Sequence, residues 1–209
     1  MKERKILAGL LVIIIALSFL PSFVGPQDVY ASSTTLTPSK DTYISGSPSE
    51  STNRGTATDL LVGTWSYGTY IHYQERERAL VEFEEPWGST IPDDSTITSA
   101  WLQLYYCSYD KSSVLMPDPT GEAILAQRLL RVELDPWLET HANWNRYISG
   151  SNWNTAGAAG SGTDYSPTDQ ASAAVPASYG WVNWDVTDQV EAAQTADVDI
   201  AFRITAPSL

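Results

Sequence analysis

The chain has 209 residues with 25 acidic and 12 basic side chains, a net charge of -13 that excludes nucleic acid or anionic lipid as a partner, since phosphate contacts need clustered Lys and Arg. A single cysteine, Cys107, excludes an internal disulfide, so the fold rests on packing and the thiol is expected to act as a buried small apolar residue. Eight Trp and eleven Tyr against four Phe favour aromatic rings with a polar handle, which suit a wet binding surface.

The chain opens on Met1-Lys2-Glu3-Arg4-Lys5, then runs apolar from Ile6 to Leu20 and loosens toward Val29-Tyr30-Ala31. Basic start, apolar middle and small residues at a cut after Ala31 predict a cleaved secretory signal over residues 1–31, with Pro21 breaking the helix that an uncleaved membrane anchor would need. One domain, 32–209, remains, working outside the cytoplasm and not inserted in a membrane once the signal is removed. Short strands follow at Asp41–Ile44 and Leu60–Gly63, separated by a Ser, Pro, Asn and Gly rich loop at 46–58. An aromatic loop, WSYGTYIHY, spans Trp65 to Tyr73, and Ala79, Val81 and Phe83 share a strand face that ends before Pro86.

Ile97 to Tyr106 alternates most clearly: Ala100, Leu102, Leu104 and Tyr106 face one way, Trp101, Gln103 and Tyr105 the other. Ala123 to Leu134 is apolar on both faces, as a central strand would be. Ser149 to Tyr179 is a long Gly, Ala and Ser rich loop. In WVNWDVT, Trp184 is expected in the core and Trp181 beneath a loop. Thr187 is expected to cap a short helix over Asp188–Gln194, before the last strand at Asp197–Thr205. Strands divided by turn clusters, with one helix, predict an all-β antiparallel β-sandwich of jelly-roll type with a short helix near the C-terminus.

Two sets of residues could bind a ligand. Trp101, Gln103 and Tyr105 could form a flat platform on which sugar rings stack, with the amide meeting hydroxyls; the alternative is that Ser149–Tyr179 folds over this face and buries it. Trp65, Tyr67, Tyr70 and Tyr73, with His72 and Arg76, offer aromatic and polar groups on a loop, whose alternative is a self-packed surface segment. No cofactor is required. Asp41, Asp59, Asp185 and Asp188 are the candidates for calcium, although Asp185 and Asp188 also suit a strand-to-helix turn. Glu75, Glu77, Glu82, Glu84, Glu85 and Glu139 form no recognisable acid–base frame, and His141 reads as a turn residue, so a non-catalytic protein is expected.

DTYI at Asp41, NRG at Asn53, LLVG at Leu60, RALVEF at Arg78, ITSAWLQLYY at Ile97, WLET followed by NWN between Trp137 and Asn145, and WVNWDVT stand in the order of a known family. Together they resemble the DNRLRE or disaggregatase-related domain, grouped with the family 96 carbohydrate-binding modules, from about Leu36 to Ile204. The resemblance implies an exported β-sandwich that binds polysaccharide. The alternative readings are a structural or adhesive module contacting neighbouring surface-protein chains and, more weakly, a polysaccharide lyase or glycosidase. The chain departs from the family pattern in Glu84 after Phe83, in a longer and more aromatic 65–73 loop, and in stopping at Leu209 where members run on into a final strand.

Overall fold

The computed structural model describes residues 6–7, 13–18, 32–67, 73–107, 118–132 and 135–207. In chain order the strands are β1 (Ile6–Leu7), β2 (Ile13–Ser18), β3 (Ser32–Leu36), β4 (Lys40–Ser45), β5 (Asp59–Leu60), β6 (Gly63–Tyr67), β7 (Tyr73–Phe83) and β8 (Thr96–Tyr106). After them come β9 (Ala123–Leu129), β10 (Arg146–Ile148), β11 (Ser151–Asn152), β12 (Tyr165–Ala174), β13 (Gly180–Asp185), helix α1 (Thr187–Ala196) and β14 (Ile200–Thr205). The expected antiparallel sandwich with one short helix is what forms. One six-stranded sheet runs β3-β2-β8-β1-β5 with β13 also on β8; the other runs β12-β9-β14-β7-β4 with β6 also on β7.

Alternation along each strand sets the core between the sheets. Ala100, Leu102 and Leu104 of β8 and Val182 and Trp184 of β13 meet Ala79, Val81 and Phe83 of β7 and Phe202 and Ile204 of β14. Phe83 and Phe202 pack edge to face with centroids 6.5 Å apart. Trp184 is fully buried, as expected, and its indole N–H donates to the Ile124 carbonyl at 2.8 Å. In β8 the ladder to β2 skips Thr98, and this extra residue lets both Ile97 and Ala100 point inward.

Four expectations are corrected. The aromatic stretch 65–73 begins and ends in strand: Trp65 and Tyr67 lie on β6 and Tyr73 opens β7, pairing Tyr67 with Tyr73, while 68–72 lie outside the described residues. Ser149–Tyr179 is not one loop: it contains β11 and β12, and β12 pairs with β9. The helix is capped at Val186 without a side-chain bond, because the Thr187 hydroxyl instead accepts the Ala100 amide at 3.0 Å. Cys107 at the end of β8 is only half-buried. The apolar run expected to be an export signal supplies β1 and β2; its remaining residues lie outside the described ones.

A second apolar layer lies outside the β7-containing sheet. Ile44, Leu80, Leu129 and Ala201 turn outward and are covered by Trp137, Ala142, Tyr147, Trp153 and Ala158. Strand β14 is therefore buried on both faces, Arg203 included. Its guanidinium donates to the Ala158 carbonyl and to Gln127 Oε1 and stacks on Tyr165 at 3.7 Å. The excursion over 130–164 thus occupies one face of the sandwich and leaves the outer face of the other sheet open.

Candidate functional site

The open face is built by β8 and β13. Antiparallel register places Trp101 opposite Asp185, Gln103 opposite Asn183 and Tyr105 opposite Trp181. All six belong to the outward set of their strands, while the residues between them enter the core. The expectation that Ser149–Tyr179 would bury this ladder fails, because that stretch pairs with and covers the opposite sheet. Trp101 is 38% exposed, Trp181 44% and Tyr179, just before β13, 66%. Trp181 is therefore not packed beneath a loop.

Direct cross-strand neighbours lie close enough for specific contact. Tyr105 and Trp181 meet edge to face, with centroids 5.4 Å apart and planes at 82°. Between that pair and Trp101 the Gln103 amide donates to Asn183 Oδ1 at 2.6 Å. That bond leaves the Gln103 carbonyl to accept and the Asn183 amide to donate, a complementary pair for a vicinal diol. At the far end Asp185 Oδ1 accepts both the amide and the hydroxyl of Thr187, which fixes the turn into α1. The face thus presents aromatic surface flanking a polar centre and carries no Lys or Arg on either strand.

The described cations lie elsewhere, mostly in structural contacts. Arg78 donates to the Gly157 carbonyl and sits over Trp144, Arg131 pairs with Asp164 and Asp135, and Arg54 lies over Tyr43. Lys40 pairs with Glu82 across β4 and β7. Burial raises the Glu82 carboxyl to about 7 against the opposing pull of Lys40, and nearby Asp199 pushes it the same way. Burial also raises Asp41 and Glu139, with Asp41 adding repulsion at Glu139.

The second expected set divides. Tyr70 and His72 lie outside the described residues; Trp65 and Tyr67 fall on β6, and Arg76 is exposed on β7 opposite Thr64. The calcium candidates fall on separate elements: Asp41 on β4, Asp59 on β5, Asp185 ending β13 and Asp188 in α1. Among the described residues no three His, Cys, Asp or Glu side chains are grouped to hold a metal. Trp181 and Asn183 are the partners that sequence reasoning left out of the site. Their signal was the same outward alternation that marked Trp101, Gln103 and Tyr105.

An antiparallel sandwich with an open aromatic and amide sheet face is the architecture of a ligand-binding module. Residues 32–209 match carbohydrate-binding module family 96, and the chain belongs to that family. No curated protein and no solved structure gives a significant match.

Proposed function

We propose that the protein is an exported, non-catalytic module that binds polysaccharide by stacking sugar rings on the open β8–β13 face. Membership of a carbohydrate-binding family supports the ligand class, and the exposed Trp101 and Trp181 around the Gln103–Asn183 amide pair carry the assignment to this face. The C–H faces of a pyranose cover an indole ring while its equatorial hydroxyls meet the amides. The absence of cations on both strands and the net charge of -13 favour an uncharged polysaccharide over a uronate or sulfated one. The secondary candidate is the set Trp65, Tyr67, Tyr70, His72 and Arg76, of which Trp65 and Tyr67 lie on β6 and Arg76 on β7.

Affinity electrophoresis through gels carrying neutral or uronate polysaccharides tests this reading. Retarded migration on a neutral glycan, lost in Trp101→Ala and Trp181→Ala proteins with unchanged circular dichroism, is the expected result. Retardation only on uronates, or retardation lost only in Trp65→Ala, would move the site to β6 and to Arg76 of β7.

A further inference from the structure

The outward residues of β8 and β13 fall in three rows: Trp101 with Asp185, Gln103 with Asn183, and Tyr105 with Trp181. The Val186 amide donates to the Ala100 carbonyl, so Trp184 with Leu102 and Val182 with Leu104 are the hydrogen-bonded pairs of this ladder. The three outward rows are therefore of the other kind, in which facing side chains approach more closely. Their contacts follow from this: the amides of the second row share a bond of 2.6 Å, and the rings of the third meet with centroids 5.4 Å apart. Each of these two rows acts as one unit, and successive rows stand two residues apart along the strands, about 7 Å.

The first and third rows each offer one aromatic surface to a ligand. In the first it is the exposed Trp101. In the third the planes of Tyr105 and Trp181 stand at 82°, so the two rings cannot both lie against one sugar face. Trp181 is the exposed member and Tyr105 is half-buried, so the tyrosine props the indole. The two indoles are four register positions apart along the strands and one strand apart across them, about 14 Å against about 5 Å. A glycan that reaches both must run along the strands. An extended chain of pyranose rings advances by about 5 Å per ring, the reach of bonds close to about 1.5 Å each. One ring or two cannot bridge the indoles. Three can, with the breadth of the indoles taking up the remainder, and the middle ring then lies over the amide row.

We propose that this face recognises a run of at least three contiguous rings of an extended, uncharged glycan chain laid along β8 and β13. Trp101 and Trp181 hold the two ends of the run, and Gln103 and Asn183 meet the hydroxyls of the ring between them. The proposal rests on glycan binding at this face and adds the length and direction of the ligand. A sugar seated on one indole keeps the rest of its chain near the other at a high effective concentration, provided that the chain spans the gap. A chain too short to span it gains nothing from the second indole. Affinity therefore rises in a step at the bridging length rather than evenly with each ring.

Isothermal titration calorimetry of the full chain tests this with oligosaccharides of one to six rings, cut from whichever of galactomannan, xylan or mixed-linkage glucan retards the protein in gels. The expected result is weak and similar binding of the one-ring and two-ring sugars, then a gain of about tenfold or more by four rings. Five and six rings bind within about threefold of four. In Trp101→Ala and in Trp181→Ala the step disappears: four rings bind no better than two, with circular dichroism unchanged. Loss of the step reports the bridge between the indoles, a readout that a purely structural role for either ring would not move.

Retardation that depends on both tryptophans, combined with one-ring or two-ring sugars that bind as tightly as four, overturns the inference and leaves glycan binding at this face standing. A step that survives either substitution does the same. A protein that none of these glycans retards, or one whose retardation is lost only in Trp65→Ala, overturns the inference together with the reading on which it rests.

Discussion

Trp101 and Trp184 lie on neighbouring strands, yet their side chains leave the sheet on opposite faces, and this difference separates binding from stability. Trp184 is fully buried, with its N–H satisfied by the Ile124 carbonyl. Trp184→Ala removes that packing and leaves a cavity, so stability is expected to fall by about 3–5 kcal/mol in urea unfolding. Trp101→Ala deletes a ring that is 38% exposed. Its stability is expected to stay within about 1 kcal/mol of the parent, while glycan affinity drops about tenfold or more. Equal losses of stability in the two variants would place Trp101 in the core rather than on a platform.

The excursion over 130–164 behaves as one element pinned by a few buried polar groups. The fully buried Asp164 accepts the backbone N–H groups of Asn154, Thr155 and Gly160 and an ion pair from Arg131. Asp164→Ala strands those donors, and a cost of about 3–5 kcal/mol is expected, with new protease cuts confined to 130–164. Gly157 is a second pin, at φ +83, where a Cβ would come within 2.5 Å of Arg78 Nη1 and 2.7 Å of Trp144. Gly157→Ala is therefore expected to lower the melting temperature and to release the same segment. Sequence alone revealed β8 because one of its faces is core and the other wet, giving a strict period of two. It revealed β13 and the burial of Trp184 for the same reason. Strand β12, YSPTDQASAA, is small, polar and interrupted by Pro167, and it survives as an edge strand only because β9 offers a ladder with a register shift. The exposure of Trp181 depends on which sheet the 149–179 stretch joins, a contact between distant segments that no local pattern encodes. The pairing of β6 with β7 was hidden because the aromatic, Gly-containing sequence from Trp65 to Tyr73 reads as a loop until both strands are paired.

At the scale of the whole molecule, the outer layer has placed a carboxylate where water cannot reach it, and this gives folding a pH dependence of definite sign. The Glu82 carboxyl is fully buried, paired with Lys40, and raised from 4.5 to about 7 chiefly by burial. A carboxyl raised in the folded state holds its proton there while the unfolded chain has released it. Its stabilising contribution is present below about 4.5 and is lost as pH rises through about 7. Asp41 and Glu139, also raised, act in the same direction, whereas Asp169, lowered by its bonds to Ser166, Arg128 and Thr168 despite partial burial, opposes them. The unfolding free energy is therefore expected to decline between pH 5 and 8. Glu82→Gln removes the titration, so the difference between parent and variant should move toward the variant by on the order of 2 kcal/mol across that interval. Parallel urea titrations of the two proteins at pH 5, 6, 7 and 8 measure this. Parallel curves would mean that Lys40 keeps Glu82 ionised throughout.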